Sequence, residues 1–357
     1  MRLRTFAIIL LVAVLGIGAF ILRTVYLAGY FRGIDSHFDG ECRLIQGPIG
    51  AEDIAIDRSA GVAYISGYDR RAAMSGRPQP GAIHMYDLNA ESIAPTNITP
   101  EADTSFQPHG ISIWTGPDHK RALYVVNHPA PGTRPYLHSV EVFDVLAGAL
   151  RHRTTITDAR LVMPNDIVAV DESRFYVTNT HRNPPGSMQS IETYLRLRGA
   201  NVLYFGAHGL EVAADDLIFP NGINVSRDGK TIYVASTTMQ EVQLYDRDPS
   251  SGALQLRGGI YLGSGLDNID VDEDGNLWIG AHPNLLAVAA MPDDPKALSP
   301  SQVLRVSFVG DGAKIDEMFL DRGDRISGVS VAARYGNRLL LGQIFNNGIL
   351  DCTMKTK

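Results

Sequence analysis

Six stretches of the sequence share one pattern, in which a pair of mostly polar residues precedes side chains that alternate between apolar and other types. The pairs are, in chain order, Glu52-Asp53, His109-Gly110, Asn165-Asp166, Asn221-Gly222, Asp267-Asn268 and Ser327-Gly328. Gathered in one place, the four carboxylates among them would repel one another unless a hard cation lay between them. Oxygen donors without a thiolate favour calcium over zinc or copper. The alternative is that these polar residues bind only water.

Two histidines add a second kind of chemistry to this oxygen-rich set. His109 is the imidazole among the pairs, and His128 follows it within Val125-Val126-Asn127-His128-Pro129. A base that works near neutral pH is most readily a histidine, and a second imidazole can orient it or relay its proton. We therefore interpret His109 and His128 as candidate catalytic residues. His282 holds the analogous place later in the chain and is a candidate pocket residue.

The elements that must position these residues are β-strands. Each polar pair is followed by alternation with period two, which is typical of a strand with one buried face. A second β-rich run comes soon after each copy, as residues 62–66 follow residues 51–57, and most units contain a third. Six units of about 45–60 residues each predict an all-β fold, a six-bladed β-propeller with four-stranded blades.

This architecture predicts where the polar pairs lie. The first strand of each blade of a propeller lines the central channel, so the six pairs should converge on one axis. His109 and His128 belong to neighbouring strands of one blade and should lie at the same rim. The sequence therefore predicts a channel that is lined with oxygen donors and has two imidazoles at its mouth.

The start of the chain has a different character. Residues 5–22 are uncharged and mostly apolar, with Arg4 before them and Arg23 after them. A run of this length can just span a bilayer, and it also has the form of a signal sequence. We expect residues 1–30 to form a signal anchor or transmembrane segment with its linker, and residues 31–357 to form the catalytic propeller. The propeller would lie on the exported side (periplasm, ER lumen or extracellular), or be secreted if the segment is cleaved.

The two cysteines of the sequence lie near its two ends. A circular fold must close, and one terminus commonly supplies the missing strand of the last blade. We expect Cys42 in the outer strand of that blade and Cys352 in its neighbour, so that the two sulfurs come within bridging distance. An exported location permits this disulfide to form. Two free thiols are the alternative.

Composition narrows the class of function. Hydrophobic residues make up 45% of the chain, and the 35 glycines and 19 prolines suit a β protein rich in turns. The formal net charge is −7, and the sequence has no basic cluster, so nucleic acid is not expected as a partner. One domain accounts for everything after the apolar segment. The sequence also lacks a Gly-x-Ser-x-Gly elbow, which argues against a serine triad.

These motifs resemble those of the paraoxonase (arylesterase/lactonase) family, and the similarity spans essentially the whole chain. The matching stretches recur in order at residues 51–53, 108–112, 125–129, 165–170, 221–224, 267–269 and 277–284, together with the cysteine pair. The segments at residues 68–80 and 182–199 carry side chains that differ from the family pattern. Because those segments shape the substrate pocket, the resemblance leaves the identity of the substrate open.

The resemblance implies a calcium-dependent hydrolase of lactones and aryl esters with two calcium ions. The ligands of the catalytic ion would be Glu52, Asn165, Asn221, Asp267 and Asn268. Those of the structural ion would be Asp53, Asp166 and the backbone carbonyl of Ile111. It also implies that His109 and His128 form a catalytic dyad that activates water, while calcium polarises the carbonyl oxygen of a small-molecule ester or lactone.

Three other interpretations stay open at this point. A gluconolactonase-like propeller would also hydrolyse lactones with a channel metal, and a strictosidine-synthase-like propeller would catalyse a condensation instead. The pair of histidines beside the acidic channel favours the paraoxonase-like interpretation over both. A membrane-tethered binding propeller, in which calcium only clamps the blades, is the alternative from a different class.

Overall fold

The computed structural model describes residues 2–90, 94–99, 101–130, 137–310 and 312–355. The chain begins with a long helix, α1 (Arg2–Leu27), and two strands, β1 (His37–Phe38) and β2 (Gly40–Ile49). The first blade follows with β3 (Ala51–Asp57), β4 (Val62–Gly67), the short helix α2 (Arg70–Met74), β5 (Ala82–Asp87) and β6 (Thr96–Asn97). The second blade comprises β7 (Pro108–Thr115), a 3₁₀ turn (Pro117–His119), β8 (Arg121–Asn127), β9 (Ser139–Leu146) and β10 (Ala149–Thr157).

The remaining blades repeat this order. The third contains β11 (Pro164–Ala169), β12 (Phe175–Asn179), α3 (Ser187–Leu195), β13 (Ala200–Gly206) and β14 (Gly209–Leu217). The fourth contains β15 (Pro220–Val225), β16 (Thr231–Ser236), β17 (Glu241–Arg247) and β18 (Leu254–Tyr261). The fifth contains β19 (Gly265–Val271), β20 (Leu277–His282), α4 (Leu285–Ala290), β21 (Ser301–Val309) and β22 (Gly312–Asp321). The last contains β23 (Val329–Tyr335), β24 (Arg338–Gln343) and β25 (Asn347–Met354).

The predicted six-bladed propeller is confirmed. Each blade is an antiparallel sheet, and in the first four blades the strands run in chain order from the channel outward. Buried apolar side chains fill the space between neighbouring sheets. One sheet departs from the four-stranded expectation, because β1 adds a fifth strand at the edge of the fifth blade. Two backbone pairings, His37 with Leu320 and Phe38 with Phe319, form this addition.

The ring closes as the sequence predicts. Strand β2 supplies the outer strand of the last blade by pairing with β25, and Cys42 stands opposite Cys352 in that pairing. The two cysteines form a disulfide across a sequence separation of 310 residues. Beside it, the buried carboxylate of Asp351 accepts hydrogen bonds from Arg43, Arg338 and Tyr86. A covalent bond and an ionic cluster therefore hold both ends of the chain in one sheet.

A bulge in the innermost strands aims the polar pairs at the channel. In five blades the pairing between the first and second strand shifts register at the polar pair, as between Ala51 and Asp53 and between Pro108 and Ile111. In the sixth blade the shift comes two residues later, after Val329. A bulge turns a side chain away from the regular alternation of a strand. The second residue of each pair is glycine in every other blade, and a Cβ atom at Gly110 would lie only 2.4 Å from the carbonyl oxygen of Asn165.

Helix α1 is long and apolar enough to cross a membrane, with a candidate span of 24 residues from Arg4 to Leu27. Its length and composition are those of a signal anchor or a signal peptide. The end of the helix contacts the propeller through two hydrogen bonds. The side chain of Gln240 donates to the carbonyl of Leu27, and the amide of Leu285 donates to the carbonyl of Ala28.

Removing the disulfide tests how the ring is held closed. The double substitution Cys42→Ser and Cys352→Ser should lower the free energy of unfolding by about 5 kcal/mol, because the bridge restricts a very long loop of the unfolded chain. The measurement is urea unfolding of the full chain in detergent, followed by tryptophan fluorescence. Reduced wild-type protein should match the double variant. An unchanged urea midpoint in both would show that the bridge does not stabilise the closed ring.

Candidate active site in the central channel

The polar pairs converge at one end of the channel, on the floor of a cavity of about 310 Å³. Six of the residues selected from the sequence line this cavity: Glu52, His109, Asn165, Asn221, Asp267 and His282. Asn268 is buried beside them and donates from its side-chain nitrogen to Glu52 Oε1 at 3.0 Å. The structure therefore brings together all five proposed ligands of the first calcium ion.

Four oxygens at this place fit a bound cation. They are buried and lack a hydrogen-bond partner among the described residues, and they are Glu52 Oε2, Asn165 Oδ1, Asn221 Oδ1 and Asn268 Oδ1. A buried polar atom without a partner costs about 1–3 kcal/mol, and bare oxygens are what calcium coordinates. Among the five proposed ligands only Glu52 and Asp267 are acids. This agrees with the absence of any group of three His, Cys, Asp or Glu suited to a metal in the described ranges.

The charges of the floor are also unbalanced. Burial, and then the charge of Asp267, raise the pKa of Glu52 well above its usual value. Asp267 is itself fixed by His282, whose Nε2 lies 2.8 Å from Asp267 Oδ2. Both partners are almost fully buried, and His282 lines the cavity as the sequence predicts. His282 thus contacts one oxygen of Asp267 and orients the carboxylate. The other oxygen of Asp267 is not in contact with this imidazole nitrogen.

The proposed residues of the second ion meet deeper in the channel. Asp53, Asp166 and Ile111 line a separate polar cavity of about 110 Å³. Asp53 Oδ2 accepts the amide of Ile111 at 2.7 Å, and Asp166 Oδ2 accepts the amide of Ile223 at 2.7 Å, so each carboxylate joins two blades. The contact to Ile111 therefore runs through its N–H.

The surroundings of these two carboxylates disfavour their ionised forms. Burial raises the pKa of Asp53 to about 7. Burial, and then the charge of Asp53, raise the pKa of Asp166 well above its usual value. A divalent cation between them would remove this penalty. Unlike the oxygens of the upper floor, however, those of Asp53 and Asp166 already accept backbone amides.

The two predicted catalytic histidines lie together beside the floor. Their ring centroids are 4.9 Å apart, with the rings edge to face. His109 Nε2 lies 3.3 Å from the side-chain nitrogen of Asn165 and 3.5 Å from Glu52 Oε1. His128 contacts a third imidazole, with 2.9 Å between its Nδ1 and Nδ1 of His138. His138 is also buried and extends the pair to a row of three rings.

Arg70 is a further residue of the site that the sequence analysis did not identify. Its side chain is only 4% exposed and donates to the carbonyls of Gly50 and Ile344 at 2.9 and 3.1 Å. Its Nη2 lies 3.3 Å from His109 Nδ1. A guanidinium can only donate, so a neutral His109 that accepts this bond carries its proton on Nε2. Burial, and then the charge of Arg70, hold the pKa of His109 well below its usual value.

Three helices form the walls above the floor. Thr24 belongs to α1, and Ala28 follows the last residue of that helix. Four apolar residues belong to α4: Leu285, Leu286, Val288 and Ala289. The third wall comes from α3, which is held by a 2.8 Å contact between Thr193 Oγ1 and His181 Nε2. The cavity is therefore mostly apolar above a polar floor.

Comparison with known proteins gives four findings. A sequence model of the arylesterase family matches residues 34–354. The chain is 33% identical to serum paraoxonase/arylesterase 2 of Rattus norvegicus, covering 94% of this chain and 97% of the rat protein. It is 34% identical to serum paraoxonase/arylesterase 1 of Homo sapiens, covering 86% of this chain and 87% of the human protein. The solved structure of regucalcin, a calcium-binding protein from Agrobacterium tumefaciens, has a similar fold, with a TM-score of 0.52, 14% identity and coverage of 90% and 95%.

The raised pKa values predict how calcium-free protein responds to pH. A carboxyl group with a raised pKa binds its proton more tightly in the folded state, so its contribution to stability is lost as the pH rises through that value. The free energy of unfolding in excess chelator should therefore fall between about pH 4 and about pH 7 more steeply for wild type than for Asp53→Asn, because the pKa of Asp53 is raised from the ordinary carboxyl value to about 7.

Thermal unfolding at several pH values measures this difference. The buried histidines, whose pKa values are lowered, contribute the opposite slope to both proteins and cancel in the comparison. Calcium should reverse the trend in wild type, since an ion needs ionised carboxylates. Identical slopes for the two chelated proteins would contradict the assignment of a protonated Asp53.

Proposed function

Since the chain belongs to the arylesterase family and is a carboxylic ester hydrolase, we propose that it is a calcium-dependent hydrolase of lactones and aryl esters. The observation that carries this proposal is the group of four buried, unpartnered oxygens beside His109 on the floor of an apolar cavity. The family, together with the calcium-binding protein of similar fold, supports calcium as the ion. The apolar walls suit an ester or lactone with a hydrophobic body.

The residues divide into two proposed ion sites. Glu52, Asn165, Asn221, Asp267 and Asn268 would hold the catalytic ion. Asp53, Asp166 and the carbonyl of Ile111 would hold a structural ion that joins blades deeper in the channel. Calcium bound at the upper floor would supply Lewis-acid polarisation of a carbonyl oxygen.

The histidines would take up the proton of the attacking water. His109 meets the cavity through Nε2, so this nitrogen is where a proton of the attacking water is taken up. Nε2 accepts a proton only when the ring carries its own proton on Nδ1, and in that tautomer the bond from Arg70 is given up. His128, in edge-to-face contact, would steady the charged ring that results. Asn165 would stabilise the oxyanion with its side-chain amide, and His282 keeps Asp267 oriented.

The proposed location rests on the apolar helix α1 and on the disulfide. Residues 1–30 would anchor the protein in a membrane, with the propeller of residues 31–357 on the exported side, or would be removed as a signal peptide. The apolar helix α1 and the disulfide both support an exported protein. The contact of Leu27 and Ala28 with the propeller supports an anchor that would lie next to the cavity mouth.

Hydrolysis assays test the proposal directly. The full chain in detergent should hydrolyse an aliphatic lactone and an aryl ester with calcium, and chelation should abolish both activities. His109→Gln should lower turnover by about 10²-fold or more, the usual size of a general-base contribution. His208→Gln, at an exposed site outside the cavity, is the matched control. A folded, calcium-loaded protein without turnover would favour the binding-propeller interpretation, and full activity of His109→Gln would remove His109 from the mechanism.

A further inference from the structure

Arg196 stands at the mouth of the cavity and has no role in the chemistry described above. It ends α3 with a left-handed backbone (φ 53°), a conformation that more often belongs to glycine. Its side chain is partly buried and lines the cavity together with Thr193 and Tyr194 of the same helix. A guanidinium is thus presented to a cavity whose other walls are mostly apolar.

Among the described residues, Arg196 has no hydrogen bond or ion pair from its side chain. Its neighbours in sequence differ: Arg182 pairs with Glu192 at 3.2 Å, and Arg198 pairs with Asp216 at 3.4 Å. The charged group that acts most on Arg196 is Arg23 of α1, which has the same sign. Burial, and then Arg23, lower the pKa of Arg196. The mouth therefore carries positive charge that no described acid balances.

A guanidinium in such a place suits an anion from outside the chain. Its planar array of N–H donors matches the two oxygens of a carboxylate, and the interaction gains strength where apolar walls exclude water. The floor has the opposite preference, because Glu52 and Asp267 would repel a second carboxylate there. A substrate with a negatively charged end would hence be oriented with its ester at the floor and its charge at the mouth.

We propose that Arg196 is a specificity-determining residue that selects esters and lactones bearing a carboxylate remote from the scissile bond. The proposal rests on the proposed ester-hydrolase function and names the substrate class of the same cavity. It gives α3 a part in substrate choice in addition to covering the floor.

A matched pair of substrates tests the selection. The 4-nitrophenyl monoester of adipic acid carries a free carboxylate, and the same ester capped with a methyl group is neutral. Arg196→Met should lower kcat/KM for the charged ester about tenfold, mainly through KM, and leave the neutral ester unchanged. Arg196→Lys keeps the charge and should recover part of the loss. Arg198→Met, which removes a cation two residues away, should not discriminate between the esters.

Binding without turnover separates this proposal from the proposed function. Calorimetry with hexanoate and hexanamide should show that wild type prefers the carboxylate and that Arg196→Met does not. If neither ester is hydrolysed but this preference is found, the hydrolase function fails and Arg196 still binds a carboxylate. Equal effects of Arg196→Met on both esters, or equal affinity for hexanoate and hexanamide, would overturn the inference. So would unchanged ester kinetics with a loss of binding to phosphatidylglycerol micelles, since the anion would then be a lipid phosphate.

Discussion

The structure depends on one arrangement, a cluster of buried oxygens at the axis that have no hydrogen-bond partner among the described residues. Glu52, Asn165, Asn221 and Asn268 each present such an oxygen, and each comes from a different blade. In water these atoms would be solvated, so only the closed ring keeps them together. Bulges in the inner strands direct these side chains toward the axis. The glycines at the second position of every other pair leave room for the neighbouring backbone. An ion among these oxygens, as proposed above, would offset the cost of burying them.

Much of this could be predicted from the sequence because it follows from local periodicity. Alternation with period two predicts the strands, and the polar pair at the start of each unit predicts which residues face the axis. The cysteines at the two ends predict the closure between β2 and β25, since the ring leaves them no other neighbours. The pairing of His282 with Asp267 follows less directly, because β19 and β20 are neighbours but the contact depends on a bulge.

The contacts that were not predicted cross between blades or depend on a single turn. Arg70 lies in α2 of the first blade and reaches His109 of the second, in a segment whose pattern suggested only a variable loop. His138 was not expected beside His128, since its place in the chain says nothing about the loop that precedes β9. Arg196 itself has the left-handed backbone that ends α3, and no periodicity in the sequence predicts that turn. Strand β1 is two residues long, too short to give a pattern.

The pairing of β2 with β25 also has a consequence for the order in which the protein is made. Gly40 lies opposite Met354, so the strand synthesised among the first must wait, unpaired, until almost the whole chain has emerged. Contacts of such large sequence separation form late in folding. Until that moment the last blade lacks its outer strand and the disulfide cannot form. Covalent closure of the ring thus becomes one of the final steps of biogenesis, after both cysteines have been synthesised.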